Sequence, residues 1–211
     1  TSYDQAIALD PDDTAGAVSA REDLLSRMQE RKAQAAAADD AATIAKAKAD
    51  KLAKILALKK KAEDAMAAGD YTDSASSSSL ALSLAPADDD IWSMADPALR
   101  GQIVALKDSA HRKAKAQELK VQAEHECDAK DFATAVDTFD MALALAPDNA
   151  EIQAERDAAV RKAKAQELKK QGEGEMDSAN YEAAVATLLA ALSEDPDNIE
   201  IAAEEAEAEK K

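Results

Sequence analysis

The nine residues RKAKAQELK occur at 112–120 and again, unchanged, at 161–169. Phe132 and Tyr181, and Pro147 and Pro196, keep the same offset of 49. Repetition at that scale constrains the fold more than composition does, because a chain built from one supersecondary unit buries its apolar faces by stacking copies. A weaker copy lies upstream: Leu58, Ala62, Met66, Tyr71, Ala81 and Pro86 match Leu119, Ala123, Cys127, Phe132, Ala142 and Pro147 at an offset of 61. Tyr3, Ala6, Ile7 and Pro11 match the end of a fourth copy, 75 residues before Pro86. The chain thus reads as a piece of a longer repeat protein.

The units must be helical. Of 211 residues 54 are Ala, and Leu, Ile, Val and Phe together number only 34, so thin helices in close approach are affordable and a large aromatic core is not. Each copy reads as two helices joined near Gly69–Asp70, Lys130–Asp131 or Ala179–Asn180. Each pair is then stopped by a turn of the type Ala-Pro-Asp-Asn or Asp-Pro-Asp-Asn. Net charge is −17, which argues against nucleic acid or an anionic membrane as a partner. No apolar run approaches the ~20 residues of a membrane span, and no signal peptide opens the chain. One cysteine permits no internal disulfide. A cytoplasmic or cytoskeletal location is expected.

Leu168, Gly172, Met176, Tyr181, Ala184, Leu188, Ala191 and Pro196 together resemble one tetratricopeptide repeat. Leu119, Ala123, Phe132, Ala135, Phe139, Ala142 and Pro147 resemble a second; all of these positions except Met176 are expected to pack the repeats, and Cys127 is expected as a small core side chain. The copy ending at Pro86 departs most, with Ser74 and Ser78 where the family prefers Ala and a bulky apolar residue. The resemblance implies an all-α, elongated, grooved solenoid of helical hairpins that binds peptides or proteins.

The spacing departs from the family. Intervals of 49, 61 and 75 exceed the ~34 residues of a family repeat, and no Gly or Pro interrupts 150–171 or 17–68. The excess therefore lengthens the first helix of each repeat at its start, while the second, such as 181–194, stays short. This predicts an organisation with boundaries at 1–13 (end of a truncated repeat), 14–54 (long helical connector) and 55–88 (degenerate repeat). There follow 89–115 (insert and long-helix start), 116–149 (repeat), 150–164 (helical extension), 165–198 (repeat) and 199–211 (acidic helical tail). Asp96 is the expected N-cap, with Pro97 at the first helical position. Leu52, Ile55, Leu56, Ala62 and Met66 form one apolar stripe, and the exposed half of each long helix is expected to pack on a neighbouring long helix or another chain.

Candidate sites are few. Lys59, Lys120 and Lys169 stand where chaperone-binding members of the family place a carboxylate-clamp lysine, but the matching asparagines are replaced by Glu63, Glu124 and Glu173. Spaced four apart, each Lys–Glu pair can meet on one helix face for ~0.2–0.5 kcal/mol, and a solvated ion-pair face is the plainer reading. The basic stretch with Lys51, Lys54, Lys59, Lys60 and Lys61 could dock an acidic partner, and without interleaved aromatics it is no nucleic-acid surface. His111, His125 and Cys127 cannot share a metal ion, because they lie on different faces or ~21 Å apart. The acidic turns at 10–13 and 88–90 lack the Gly and distal Glu of a calcium loop. Ser74 and 76–79 read either as a phosphorylation cluster or as small packing residues, and Trp92 as a plug for the insert. No catalytic set and no cofactor site is recognisable.

The expected function is a non-enzymatic protein-interaction or structural scaffold within a large assembly such as a cytoskeletal or filamentous complex. A peptide-binding adaptor of co-chaperone type is the alternative. Expected partners are proteins, other copies of this chain or a filament included.

Overall fold

The computed structural model describes residues 14–87 and 89–211, and among them every regular element is a helix. The expected repeat end at 1–13 and Asp88 fall outside. In order, the helices are α1 (Thr14–Ala67), α2 (Tyr71–Leu84), α3 (Ile91–Met94), α4 (Leu99–Asp128), α5 (Phe132–Leu145), α6 (Ala150–Asp177), α7 (Tyr181–Glu194) and α8 (Ile199–Ala208). Long helices of 54, 30 and 28 residues alternate with second helices of 14 each, as the breaker-free stretches require. Helix α1 runs through the alanines and aspartates at 36–40 without a joint.

The same stop ends all three long helices. Gly69, Lys130 and Ala179 adopt left-handed φ of 81°, 61° and 56°. Asp70, Asp131 and Asn180 N–H groups then donate to the carbonyls of Ala65, Glu126 and Glu175, each at 2.9 Å. This is the Schellman closure, and it leaves two non-glycine residues in a conformation that costs them roughly 1–2 kcal/mol. The proline turns restart the chain: Asn149 Oδ1 accepts from the Glu151 and Ile152 N–H groups, and Asn198 Oδ1 from Ile201. Pro147 and Pro196 are themselves exposed, so they terminate helices and do not pack the repeats. Asp96 Oδ1 accepts from the Ala98 N–H, as the expected N-cap side chain does, and the turn through Pro97 leads into regular α-helix from Leu99.

By contact the chain divides into two units, one of α1 up to Lys59 with Leu80–Arg100, the other of Lys60–Ser79 with Gly101–Lys211. In the first, Ile55, Ile91, Trp92 and Leu99 are buried. Trp92 Nε1 donates to the Pro86 carbonyl at 2.8 Å, and Lys48 and Lys51 hold Asp90 and Asp89 at 3.1 and 2.9 Å. The insert is therefore a tied-down helical turn. Leu56 is 47% exposed and drops out of the expected stripe, which keeps Ile55 and Ala62.

The second unit holds two clusters in one register. Ala116, Leu119, Ala123, Ala135, Phe139, Ala142, Ile152 and Ala159 form the first. The second takes Ala165, Leu168, Ala184, Leu188, Ala191, Ile201 and Ala208, each 49 residues on from its counterpart. Gly172 replaces Ala123 because a Cβ there would lie 2.7 Å from Leu188 Cγ. The clusters show where the lengthened half of α6 goes: Ile152 and Ala159 bury themselves in the cluster formed by the preceding hairpin, against residues of the neighbouring long helix α4 as expected and also of the short helix α5. One helix thus closes the preceding hairpin with its first half and opens its own with its second.

Candidate interaction site

Lys120 and Lys169 lie in the repeated nonapeptide, and the structure gives them more than an i,i+4 partner. Lys120 is only 6% exposed. Its Nζ lies 2.6 Å from Glu124 on its own helix, and 2.9 and 3.2 Å from Glu155 and Glu151 on α6. Lys169 repeats this with Glu173 at 2.8 Å and Glu204 of α8 at 2.7 Å. The hydrogen bond to the i+4 glutamate, then those to the next helix, hold both ammonium groups well above the ordinary lysine range, against a burial that pulls them down. These lysines are clasps between successive helices, not the solvated face expected. Their chemistry is already satisfied, which leaves little for an incoming carboxylate. The Glu155 and Glu204 Oε2 atoms, in register with each other, are buried without a hydrogen-bond partner.

A second repeated contact escaped the sequence reading. Lys113, Lys162 and Lys211 sit over the rings of Tyr71, Phe132 and Tyr181 at 5.6, 5.8 and 5.9 Å. Such a contact contributes about 0.5–1 kcal/mol at exposed sites. The signal was present in the spacing: each aromatic opens a short helix, and the lysines recur at 49 like the rest of the repeat.

Beside these rings the surface is notched. At Tyr71 the notch is lined by Gly69, Asp70, Thr72, Gln117, Glu118 and Val121, with a volume of about 450 Å³. At Phe132 the equivalent frame carries Lys130, Ala133, Gln166, Glu167 and Lys170, and widens along Lys162, Lys164, Asn198 and Glu200 to about 840 Å³. The exchanges Gly69 for Lys130 and Val121 for Lys170 turn an acidic, partly apolar notch into a basic one. Lys130 is drawn onto Glu200 at 2.8 Å, holding that carboxyl below its usual range, and Lys164 onto Glu194 at 2.6 Å. A third open groove, about 640 Å³, lies along Arg112, Lys113 and the turn at 144–150.

The remaining candidates scatter. Lys61 pairs with Asp73 at 3.0 Å and Lys51 with Asp89, while Lys54 and Lys60 are exposed on α1. Lys59 is half-buried. His111 and His125 are exposed, and Cys127 is half-buried against the first cluster, its thiol pushed up by burial. Among the described residues no group of three His, Cys, Asp or Glu is placed to hold a metal. No helix among the described residues is long and apolar enough to cross a membrane. Ser74, Ser77 and Ser78 are buried, in place of an open phosphorylation cluster, while Ser76 is exposed. Asp89 is engaged by Ile91 N–H and Lys51, which lower its pKa in that order.

No family model, no curated protein and no solved structure matches the chain.

Proposed function

We propose that the chain is a non-enzymatic interaction scaffold, a solenoid of tetratricopeptide-like hairpins whose lengthened first helices each serve two successive repeats. The observation that carries this reading is the 49-residue recurrence of core, clasp and Lys–aromatic contact from α4–α6 to α6–α8. An array that spends its interior on inter-repeat contacts has outer faces left over for neighbours. Saturated Lys120 and Lys169 weigh against the co-chaperone alternative, because a peptide carboxylate would have to displace Glu155 or Glu204.

Cross-linking mass spectrometry on the native source material tests this. The expected result is a reproducible set of neighbouring proteins joined through Lys164, Lys170 and the other notch residues. Links spread evenly over the lysines to a random sample of abundant proteins would sink the scaffold reading, and so would substrate turnover abolished by a single polar substitution.

A further inference from the structure

The open groove of about 640 Å³ lined by Tyr71, Ser109, Arg112, Lys113 and the turn at 144–150 gathers side chains whose chemistry is unspent. Among the described residues the Tyr71 and Ser109 hydroxyls and the Arg112 guanidinium make no hydrogen bond or ion pair, and Lys113 is engaged only by the Tyr71 ring, at 5.6 Å. The Phe132 notch differs in this respect, because Lys130, Lys164 and Lys169 are each tied to a glutamate there. Donors that no internal partner holds are the ones an incoming anion gains from. We propose that this groove binds an acidic segment of a protein partner, with one carboxylate held by Arg112 and by the hydroxyls of Tyr71 and Ser109.

Charge and room select that ligand. Arg112 and Lys113 against Asp148 leave one net positive charge in the groove, within a chain of −17. One carboxylate balances it, whereas a phosphate, with close to two charges, would bring its second against Asp148. A free oxyanion displaces only a few waters of ~30 Å³ each and leaves most of the groove open, so a peptide stretch is the better filling. The peptide backbone is served as well: Ala146 N–H donates to the Ala142 carbonyl and Asn149 N–H to that of Ala146. The last-turn carbonyls of Ala144 and Leu145, both in the lining, are thereby left to accept from peptide N–H groups.

The next copy of the repeat shows what sets this groove apart. Arg112 and Lys113 recur as Arg161 and Lys162, but Tyr71 and Ser109 become Phe132 and Ala158. Both hydroxyls are lost together. The site includes neither Lys120 nor Lys169. The inference rests on the scaffold reading and names the chemistry of one partner.

Fluorescence anisotropy of the full chain with a fluorescein-labelled peptide of alternating Glu and Ser, over about 1 µM to 1 mM, tests it. Saturable binding is expected, with none by the counterpart in which Gln replaces every Glu. R112Q should weaken it ~10–100-fold, and Y71F/S109A, which installs the residues of the next copy, ~3–10-fold. D148N should tighten it ~2–5-fold. Helix content at 222 nm should stay that of the wild type in all three, since each position is exposed or half-buried. No saturable binding, or binding indifferent to both R112Q and Y71F/S109A, overturns the proposal. Displacement by inorganic phosphate at concentrations as low as the peptide's own overturns it too, by assigning the groove to a small anion. Neighbours cross-linked through Lys164 and Lys170 beside a failed peptide titration would leave the scaffold reading standing and this site refuted.

Discussion

Replacing Lys120 by Met tests whether the repeated lysines join successive helices or merely decorate one. Methionine keeps the stem and nearly the same helix propensity, so the change isolates the ammonium. Removing it leaves the carboxylates of Glu124, Glu151 and Glu155 converging on a point 2.6–3.2 Å from each, with Glu155 Oε2 already buried and unpartnered. Breaking a fully buried charge pair costs about 3–5 kcal/mol. Glu124 and Glu151 are 44% and 67% exposed and can turn into water, whereas Glu155, at 32%, is held between the helices. The expected loss is therefore about half, ~1.5–3 kcal/mol. Lys115, five residues earlier in the same nonapeptide and paired with Glu118 in the open at 60% and 69% exposure, supplies the control: K115M should cost no more than ~0.5 kcal/mol. Urea unfolding followed at 222 nm gives the global difference. Hydrogen exchange of α4 and the first half of α6 localises it, with amide opening faster by ~10–100-fold in K120M alone. K120M/E155M should recover at least half the loss, since both buried partners are then apolar. If K120M and K115M agree within ~0.5 kcal/mol, Lys120 is a surface ion pair and the clasp does not exist.

Gly172→Ala should destabilise by ~1–3 kcal/mol in spite of a better helix propensity, because its Cβ meets Leu188 Cγ at 2.7 Å; Gly174→Ala, with open space at that position, should gain ~0.5–1 kcal/mol, and equal effects in thermal melts would refute the packing assignment. Ser74→Ala removes a buried hydroxyl without a partner, and should raise stability by ~1 kcal/mol in the same melts; a loss would mean that Ser74 has a partner after all. Ala179→Gly relieves the left-handed strain at the end of α6 and should stabilise by up to ~1 kcal/mol, whereas a loss would show that the Schellman turn is not formed. The pKa of Glu200 is depressed by Lys130, so its tie is complete above the ordinary value of 4.5 and disappears as pH falls through the lower folded value. A carboxyl titration by NMR with its midpoint at or above 4.5 would contradict that contact.

Much was legible because it is local. The lengths of the long helices follow from stretches free of Pro and poor in Gly, their ends from the turn residues, and the short second helices from the distance between Tyr181 and the Asp-Pro stop. The packing face was legible too, since Leu119, Ala123, Phe139 and Ala142 recur at helical spacing and are buried, as are Ala184, Leu188 and Ala191. Leu56 was misread because a stripe of helical spacing can be a residue too wide. The prolines were misread because recurrence alone does not distinguish a stop from a contact.

What the sequence by itself determined, then, is the unit: periodicity and capping act within a few residues along the chain, and no neighbour is needed to set them. Only tertiary structure decided what each unit touches. That Lys120 meets Glu155 and Lys162 meets Phe132 depends on how α6 crosses the hairpin before it, a distance of about 30 residues along the chain that the i,i+4 rule cannot reach. The same pair of residue types is a weak surface contact at Lys115 and a clasp at Lys120, because burial by a third helix sets the strength of a charge.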